Sequence, residues 1–301
     1  MKTKTNTKKT KITELIDRLH NEVEQFYNSD KWANYLQFMS KFINRSHFNQ
    51  FLIQIFGGTD TLMVMGYQQF IERLNRIPVA CKVCRAIATK NCSCEERTPP
   101  VRIPQLAPMT YNKKTEDENG EEVEEKKLFF REVFVFKFED TEQLEGKPVI
   151  PVETSVVEKI DIEVEDYDLM EAKLIQIVED NNFQFKYENI HEEALNGWCD
   201  FTNKELVIDK NMPNAQTIKT IIHEIGHMFA HEEFSQKLPR ALKETEAESI
   251  AYVVSHHLGI DTSSYSIGYV TGWSDNEEFI LLESVGRVSK TSKKILELLE
   301  I

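Results

Sequence analysis

His223-Glu224-Ile225-Gly226-His227 is the stretch of this chain best suited to do chemistry. On a helix, residues four apart lie one turn from each other on a single face, so both imidazoles can reach one Zn²⁺ ion. The carboxylate between them can hold a water that the metal acidifies and act as general base in peptide-bond hydrolysis. A catalytic zinc keeps three protein ligands and an open fourth position, so a third ligand must come from elsewhere in the chain. Glu244 and Glu248, one turn apart, offer a carboxylate pair that can face the two histidines as ligand and supporting acid. For Glu246, between them, a solvated acidic face is the competing reading. His231 continues the histidine face by one more turn. It reads as a supporting or surface group, since a fourth protein ligand would close the site.

The elements that must position these residues are legible. Pro213-Asn214 gives a stop and a cap, and Ile218, Ile221, Ile222, Ile225, Met228 and Phe229 follow at helical spacing, predicting a helix over about 215–232. Gly226 removes bulk beside the second histidine, where another backbone or a substrate could approach. A second helix is predicted over about 239–258, after Pro239 and before Gly259, with Ala247, Ile250, Ala251 and Val254 as its buried stripe. Glu205–Asp209 reads as a strand. At a sheet edge it could pair with an extended substrate through main-chain hydrogen bonds, and a core strand is the equal alternative.

A second group of ligating residues lies upstream. Cys81-Lys-Val-Cys84 and Cys92-Ser-Cys94 could together form a tetrahedral Cys₄ zinc site, with four reduced cysteines as the alternative. Cys199 has no partner cysteine and reads as buried. No run of about 18 apolar residues exists, so no membrane span is expected. Residues 1–11 are basic without an apolar stretch, unlike a secretory signal. Five cysteines without that signal point to a reducing cytoplasm.

The net charge of −14 is unevenly spread. Residues 1–115 carry 18 Lys and Arg against 9 Asp and Glu, and residues 116–301 carry 18 against 41. A basic half suits nucleic-acid backbone and an acidic half repels it. Five of the basic residues sit in the first eleven, which read as a disordered arm, so charge alone argues weakly for DNA. Stacking on bases needs aromatics beside basic residues. Tyr67, Arg45, Arg73, Arg76, Lys82 and Arg85 are the candidates, whereas Phe48, Phe51 and Phe56 follow helical spacing and read as core.

Further segments resemble a family. Ser46-His-Phe-Asn49-Gln-Phe-Leu-Ile53, Thr61-Leu-Met-Val-Met-Gly66-Tyr67, Leu106-Ala-Pro-Met-Thr-Tyr111 and Val133-Phe-Val-Phe136 look like the N-terminal domain of ArdC-type antirestriction proteins. His223–His227, the Glu244–Glu248 stretch and Gly268-Tyr-Val-Thr-Gly-Trp273 look like the C-terminal half. ImmA/IrrE-type proteases are similar more distantly. The resemblance spans roughly residues 12–290. It implies a domain that binds single-stranded DNA and a zincin-like metallopeptidase domain, in a protein that protects the incoming DNA of a mobile element. It makes His223, His227 and Glu244 the zinc ligands, Glu224 the base and Glu248 the supporting acid. The Cys81–Cys94 group departs from the family pattern.

The expected protein is α+β, with a basic tail at 1–11, a DNA-binding domain at 12–140, a linker at 141–166 and a metallopeptidase domain at 167–301. Tyr252, Tyr265 and Tyr269 are alternatives for stabilising an oxyanion. Two rivals stand beside antirestriction proteolysis: a regulatory protease that cleaves a repressor, and a non-catalytic shield for DNA with a structural zinc.

Overall fold

The computed structural model describes residues 29–87, 91–116, 122–152, 164–191, 195–234, 237–260 and 277–300. Expectations for the tail at 1–11, for Gly268–Trp273 and for Tyr265 and Tyr269 lie outside them. The fold is α+β, with its described residues in two compact units, 48–152 and 29–47 with 164–300. No helix among them is long and apolar enough to cross a membrane.

The first unit is built on a long antiparallel ribbon, β3 (Ile103–Glu116) and β4 (Glu122–Lys137), in register from Ile103↔Val135 to Glu116↔Glu122. The short strand β1 (Val64–Met65) adds to the other side of β4. Helix α2 (His47–Gly57) buries Phe51, Leu52 and Ile53 and is pinned to β3 by Asn49, whose side-chain amide bonds both the N–H and the C=O of Leu106. Helix α3 (Tyr67–Leu74) leads into β2 (Arg76–Pro78), which pairs with β5 (Thr141–Gln143). Residues 141–143, expected in a linker, are therefore a paired strand. The acidic, proline-bearing composition there hid a strand of three residues, too short to show alternation.

The second unit contains α1 (Ser29–Lys41), α4 (Val164–Asp180), a sheet of β6 (Gln184–Glu188), β7 (Gly197–Asp200) and β8 (Glu205–Asp209), and three further helices. These are α5 (Asn214–His231), α6 (Arg240–His257) and α7 (Glu277–Leu298). The strand order is β6-β8-β7, with β6 parallel and β7 antiparallel to β8. Leu206, Val207 and Ile208 are all fully buried, which an uninterrupted apolar run allows only for a strand covered on both faces. Glu205–Asp209 is thus the central strand and cannot pair with a substrate; among the described residues the edge nearest the histidines is β7.

Helix α1 differs from expectation too. Its residues fall inside the predicted DNA-binding domain, yet it packs on α6. The Trp32 indole N–H donates to Ser249 Oγ at 3.1 Å, Ser40 Oγ meets His256 Nδ1 at 2.9 Å, and Tyr35, Leu36 and Met39 are fully buried. Helical periodicity reveals which face is apolar but not which surface will cover it.

Helix α5 buries Ile218, Ile221, Ile222, Ile225 and Met228 of the predicted stripe against its neighbours and leaves Phe229 half-buried. Gly226 faces neither another backbone nor a substrate. A Cβ there would sit 3.4–3.5 Å from the side chain of Ile250 on α6, so the glycine sets how closely the two helices approach. Gly226→Ala should change stability by less than about 1 kcal/mol, helix propensity offsetting a tight contact. Gly226→Leu should cost about 1–3 kcal/mol by overpacking, with metal binding weakened as α6 is pushed away. Thermal melts with a metal titration check both.

Candidate metal centre and its supporting network

Helix α5 projects His223 and His227 from one face, and α6 brings Glu244 against them. His223 Nε2 and His227 Nε2 lie 3.2 Å apart, and Glu244 Oε2 is 3.5 Å from each. Bonds of about 2.0–2.1 Å at tetrahedral angles would separate zinc ligands by roughly 3.3–3.4 Å, so the three atoms form one face of such a tetrahedron. The donor set of two imidazoles and a carboxylate suits a divalent cation with one position left open. The three groups line a cleft of 540 Å³ together with Glu224, Glu248, Lys219, Arg240 and the β7 residues Gly197, Trp198 and Cys199.

Each histidine is held from behind. His223 Nδ1 is 3.2 Å from Glu248 Oε2, and the other oxygen of Glu248 pairs with Lys219 at 2.9 Å. His227 Nδ1 is 2.9 Å from Nδ1 of His231, whose Nε2 lies 3.0 Å from Glu246 Oε2. Glu246 also accepts from Ser284 Oγ at 2.6 Å and from two nitrogens of Arg287 at 2.6 and 2.9 Å. Burial would raise the Glu246 carboxyl, but the bonds from His231, Arg287 and Ser284 outweigh it and hold the group below its ordinary range.

This network fixes tautomers. An ionised Glu246 can only accept, so His231 Nε2 carries a proton, and neutral His231 then offers the Nδ1 lone pair to the Nδ1–H of His227. The Nε2 lone pair of His227 is left facing Glu244 and the cleft. Glu248 likewise takes the Nδ1–H of His223 and turns its Nε2 toward Glu244 and the cleft. Glu246, at 1% exposure, is not on a solvated face, and His231 is fully buried rather than on the surface. The alternation Glu-x-Glu-x-Glu suggested one acid pointing away to water. Its actual environment is set by Arg287 and Ser284 on α7, about forty residues on, which no local pattern reveals.

Glu224, buried beside the ligands, has its carboxyl pushed up to about 7 by desolvation, with Glu244 adding and His223 opposing. Burial alone would lower His223, yet the Glu244 and Glu248 carboxylates prevail and hold it at about 9. Bonds from the two histidines take Glu244 well below the carboxylate range. Burial raises the Cys199 thiol, so it lines the cleft as a neutral group. Tyr252 stacks on the His256 ring and does not line the cleft.

The other candidates separate. Cys81, Cys84, Cys92 and Cys94 converge, with all four sulfurs within 4.8 Å of one another. A hydrogen bond from the Cys84 backbone N–H, helped by that of Thr98, draws the Cys81 thiol down to about 6. Among the proposed DNA contacts, Tyr67 and Arg73 are exposed. Arg76 donates to Thr141 Oγ1 and O and lies over the Phe138 ring, and Arg85 pairs with Glu142 and donates to the carbonyls of Glu139 and Thr141. Both guanidinium groups hold the β2–β5 ladder together. Lys82 is half-buried in the cysteine loop, and Arg45 belongs to the second unit, where burial lowers its pKa. Exposed aromatics occur instead on the ribbon, at Tyr111, Phe129, Phe130 and Phe134. For the three phenylalanines the sequence signal is an aromatic-rich stretch at 128–136 that alternation does not sort into a covered and a wet face.

Two outcomes follow. His231→Ala should weaken metal affinity about 10–100-fold while leaving all three ligands in place, measurable by competition with a chelating dye. The raised pKa of His223 means that the metal-free protein holds a proton there at neutral pH. Metal binding at pH 7 should therefore release one proton from His223 and part of another from Glu224, and affinity should rise at least about tenfold per pH unit up to about pH 9. Calorimetry in buffers of differing ionisation enthalpy reads that release directly.

Comparison with known proteins gives likenesses of sequence and of fold. An uncharacterized protein of Bacillus anthracis is 23% identical over 313 aligned positions, which take in 97% of this chain and 52% of the relative. The chain thus spans about half the length of the curated relative it matches. Two crystal structures of the antirestriction protein ArdC from the R388 plasmid are similar, each with a TM-score of 0.45. The metal-free one is 16% identical and covers 85% of this chain and 84% of its own; the Mn(II)-bound one is 13% identical and covers 96% of each. Residues 178–290, which hold every one of the converging histidines and glutamates, match the peptidase-family model described as the IrrE N-terminal-like domain.

Proposed function

We propose that the second unit is a zinc-dependent metallopeptidase and that the first unit binds single-stranded DNA, in a protein that protects incoming DNA of a mobile genetic element. The observation that carries the peptidase reading is the triangle of donor atoms at 3.2, 3.5 and 3.5 Å with Glu224 buried beside it. His223, His227 and Glu244 would hold the ion, which when bound supplies Lewis acidity to a water and to a peptide carbonyl.

The protein's own groups do the rest. Glu224, poised near neutrality by burial, takes a proton from the attacking water and returns it to the leaving amine nitrogen. Glu248 and His231 keep both imidazoles turned with Nε2 toward the cleft. Strand β7, at the sheet edge and lining the same cleft, offers main-chain groups along which an extended peptide can lie.

The DNA-binding role falls to residues 48–152, with α1 serving as a buttress of the peptidase unit. Its support is the resemblance of residues 46–136 to ArdC-type sequences, together with exposed Tyr67, Tyr111, Phe129, Phe130 and Phe134 near Arg73, Lys126 and Arg131 in the sequence. Aromatic faces beside basic groups bind single strands without reading their sequence.

Glu224→Gln tests the catalytic reading. It should keep its metal and lose hydrolysis of unstructured peptides by about 10²- to 10⁴-fold. Transfer assays with the same variant should show loss of protection. Full protection of incoming DNA by Glu224→Gln would mean that hydrolysis is not the function and that the DNA-shielding rival holds.

A further inference from the structure

The four cysteines belong to the first unit, and the proposed function makes no use of them. Cys81 Sγ lies 3.8 Å from Cys94 Sγ, and Cys84 Sγ lies 3.6 Å from Cys92 Sγ. All four are free thiols. Zinc–sulfur bonds of about 2.3 Å at tetrahedral angles put neighbouring sulfurs roughly 3.8 Å apart. Both separations fall on that edge length.

The backbone is wound as such a site requires. Backbone N–H groups of Val83 and Cys84 point at Cys81, that of Ala86 at Cys84, and that of Cys94 at Cys92. Arg85, directly after Cys84, takes a left-handed φ of 58°, which turns the chain back so that Ala80 and Cys81 both donate to the Ala86 carbonyl. Lys82 N–H donates to Thr98 O at 2.6 Å and closes the loop at its far end.

No buried apolar side chain holds the described residues of this loop beyond Cys81. Among the described residues from 82 to 100 none is buried, and Val83 is 69% exposed. Ordering each residue costs about 1–2 kcal/mol of backbone entropy, and four facing thiols without an ion do not offset that. A metal held by all four would, as in small domains that fold only with their ion.

We propose that Cys81, Cys84, Cys92 and Cys94 bind one structural Zn²⁺ that holds residues 81–87 and 91–98 against the β2–β5 ladder. Four protein ligands leave no open position, so the ion has no role in hydrolysis. Arg85 transmits the order: it sits between two of the ligands in sequence and grips Glu142 and the Glu139 and Thr141 carbonyls. This inference stands whether or not the histidine centre hydrolyses peptides.

The test uses the full chain with His223→Ala and His227→Ala, which removes the other centre. After purification under reducing conditions and dialysis in metal-free buffer, one zinc per chain should remain. A mercurial thiol reagent should release it in step with the loss of four thiols. Adding Cys84→Ser and Cys92→Ser, both outside the core, should abolish the zinc and open the loop to trypsin at Lys82 and Arg85. If those variants fail to fold, Co²⁺ substituted into the wild-type chain should show the visible absorption of a tetrahedral tetrathiolate site. A folded His-less chain without zinc, a cobalt spectrum lacking sulfur ligands, or two disulfides under reducing conditions would each overturn the proposal.

Discussion

A single buried carboxylate organises the second unit. Glu246 sits on α6 with almost no solvent exposure and binds His231 of α5 and Ser284 and Arg287 of α7. Removing an ion from water costs several kcal/mol unless its lone pairs are satisfied, and here each oxygen has a charged or strongly polar donor. Such a group tolerates few arrangements of its partners. The three helices are therefore fixed relative to one another by a charge that must not be left unpaired, and Glu244, two residues away on the same helix, is delivered to the histidines as a result. Truncating Arg287 would strand the carboxylate and disturb the ligands without touching them.

The site was partly legible in the sequence, and the dividing line is physical. His223, Glu224 and His227 share one helix, so spacing alone places them together, and Glu244 and Glu248 share the next. Spacing could not say that Glu246 is buried, because what covers it comes from α7. The same limit explains α1, whose partner α6 is more than two hundred residues away in the sequence. The central position of Glu205–Asp209 was readable in retrospect from three consecutive fully buried apolar residues, a pattern that an edge strand with one wet face does not need.

In the first unit the lesson runs the other way. Basic residues chosen by charge turned out to be structural where a carbonyl or carboxylate lay within reach, as Arg76 and Arg85 show. Charge in a sequence counts side chains but not the acceptors folded against them. Exposed aromatic residues lie instead on the β3–β4 ribbon, where the sequence pattern does not separate a wet face from a covered one.

The position of β7 has a consequence for selectivity. A strand edge meets its partner through N–H and C=O groups that every residue possesses, so such a groove is indifferent to most side chains. What it does discriminate is conformation. A segment already paired in a sheet or wound in a helix has no main-chain groups to spare, and only a locally extended, unpaired stretch can lie along it. Recognition at this cleft would then measure whether part of a protein is unfolded or loosely tethered, and a well-folded neighbour in the same cell would pass untouched.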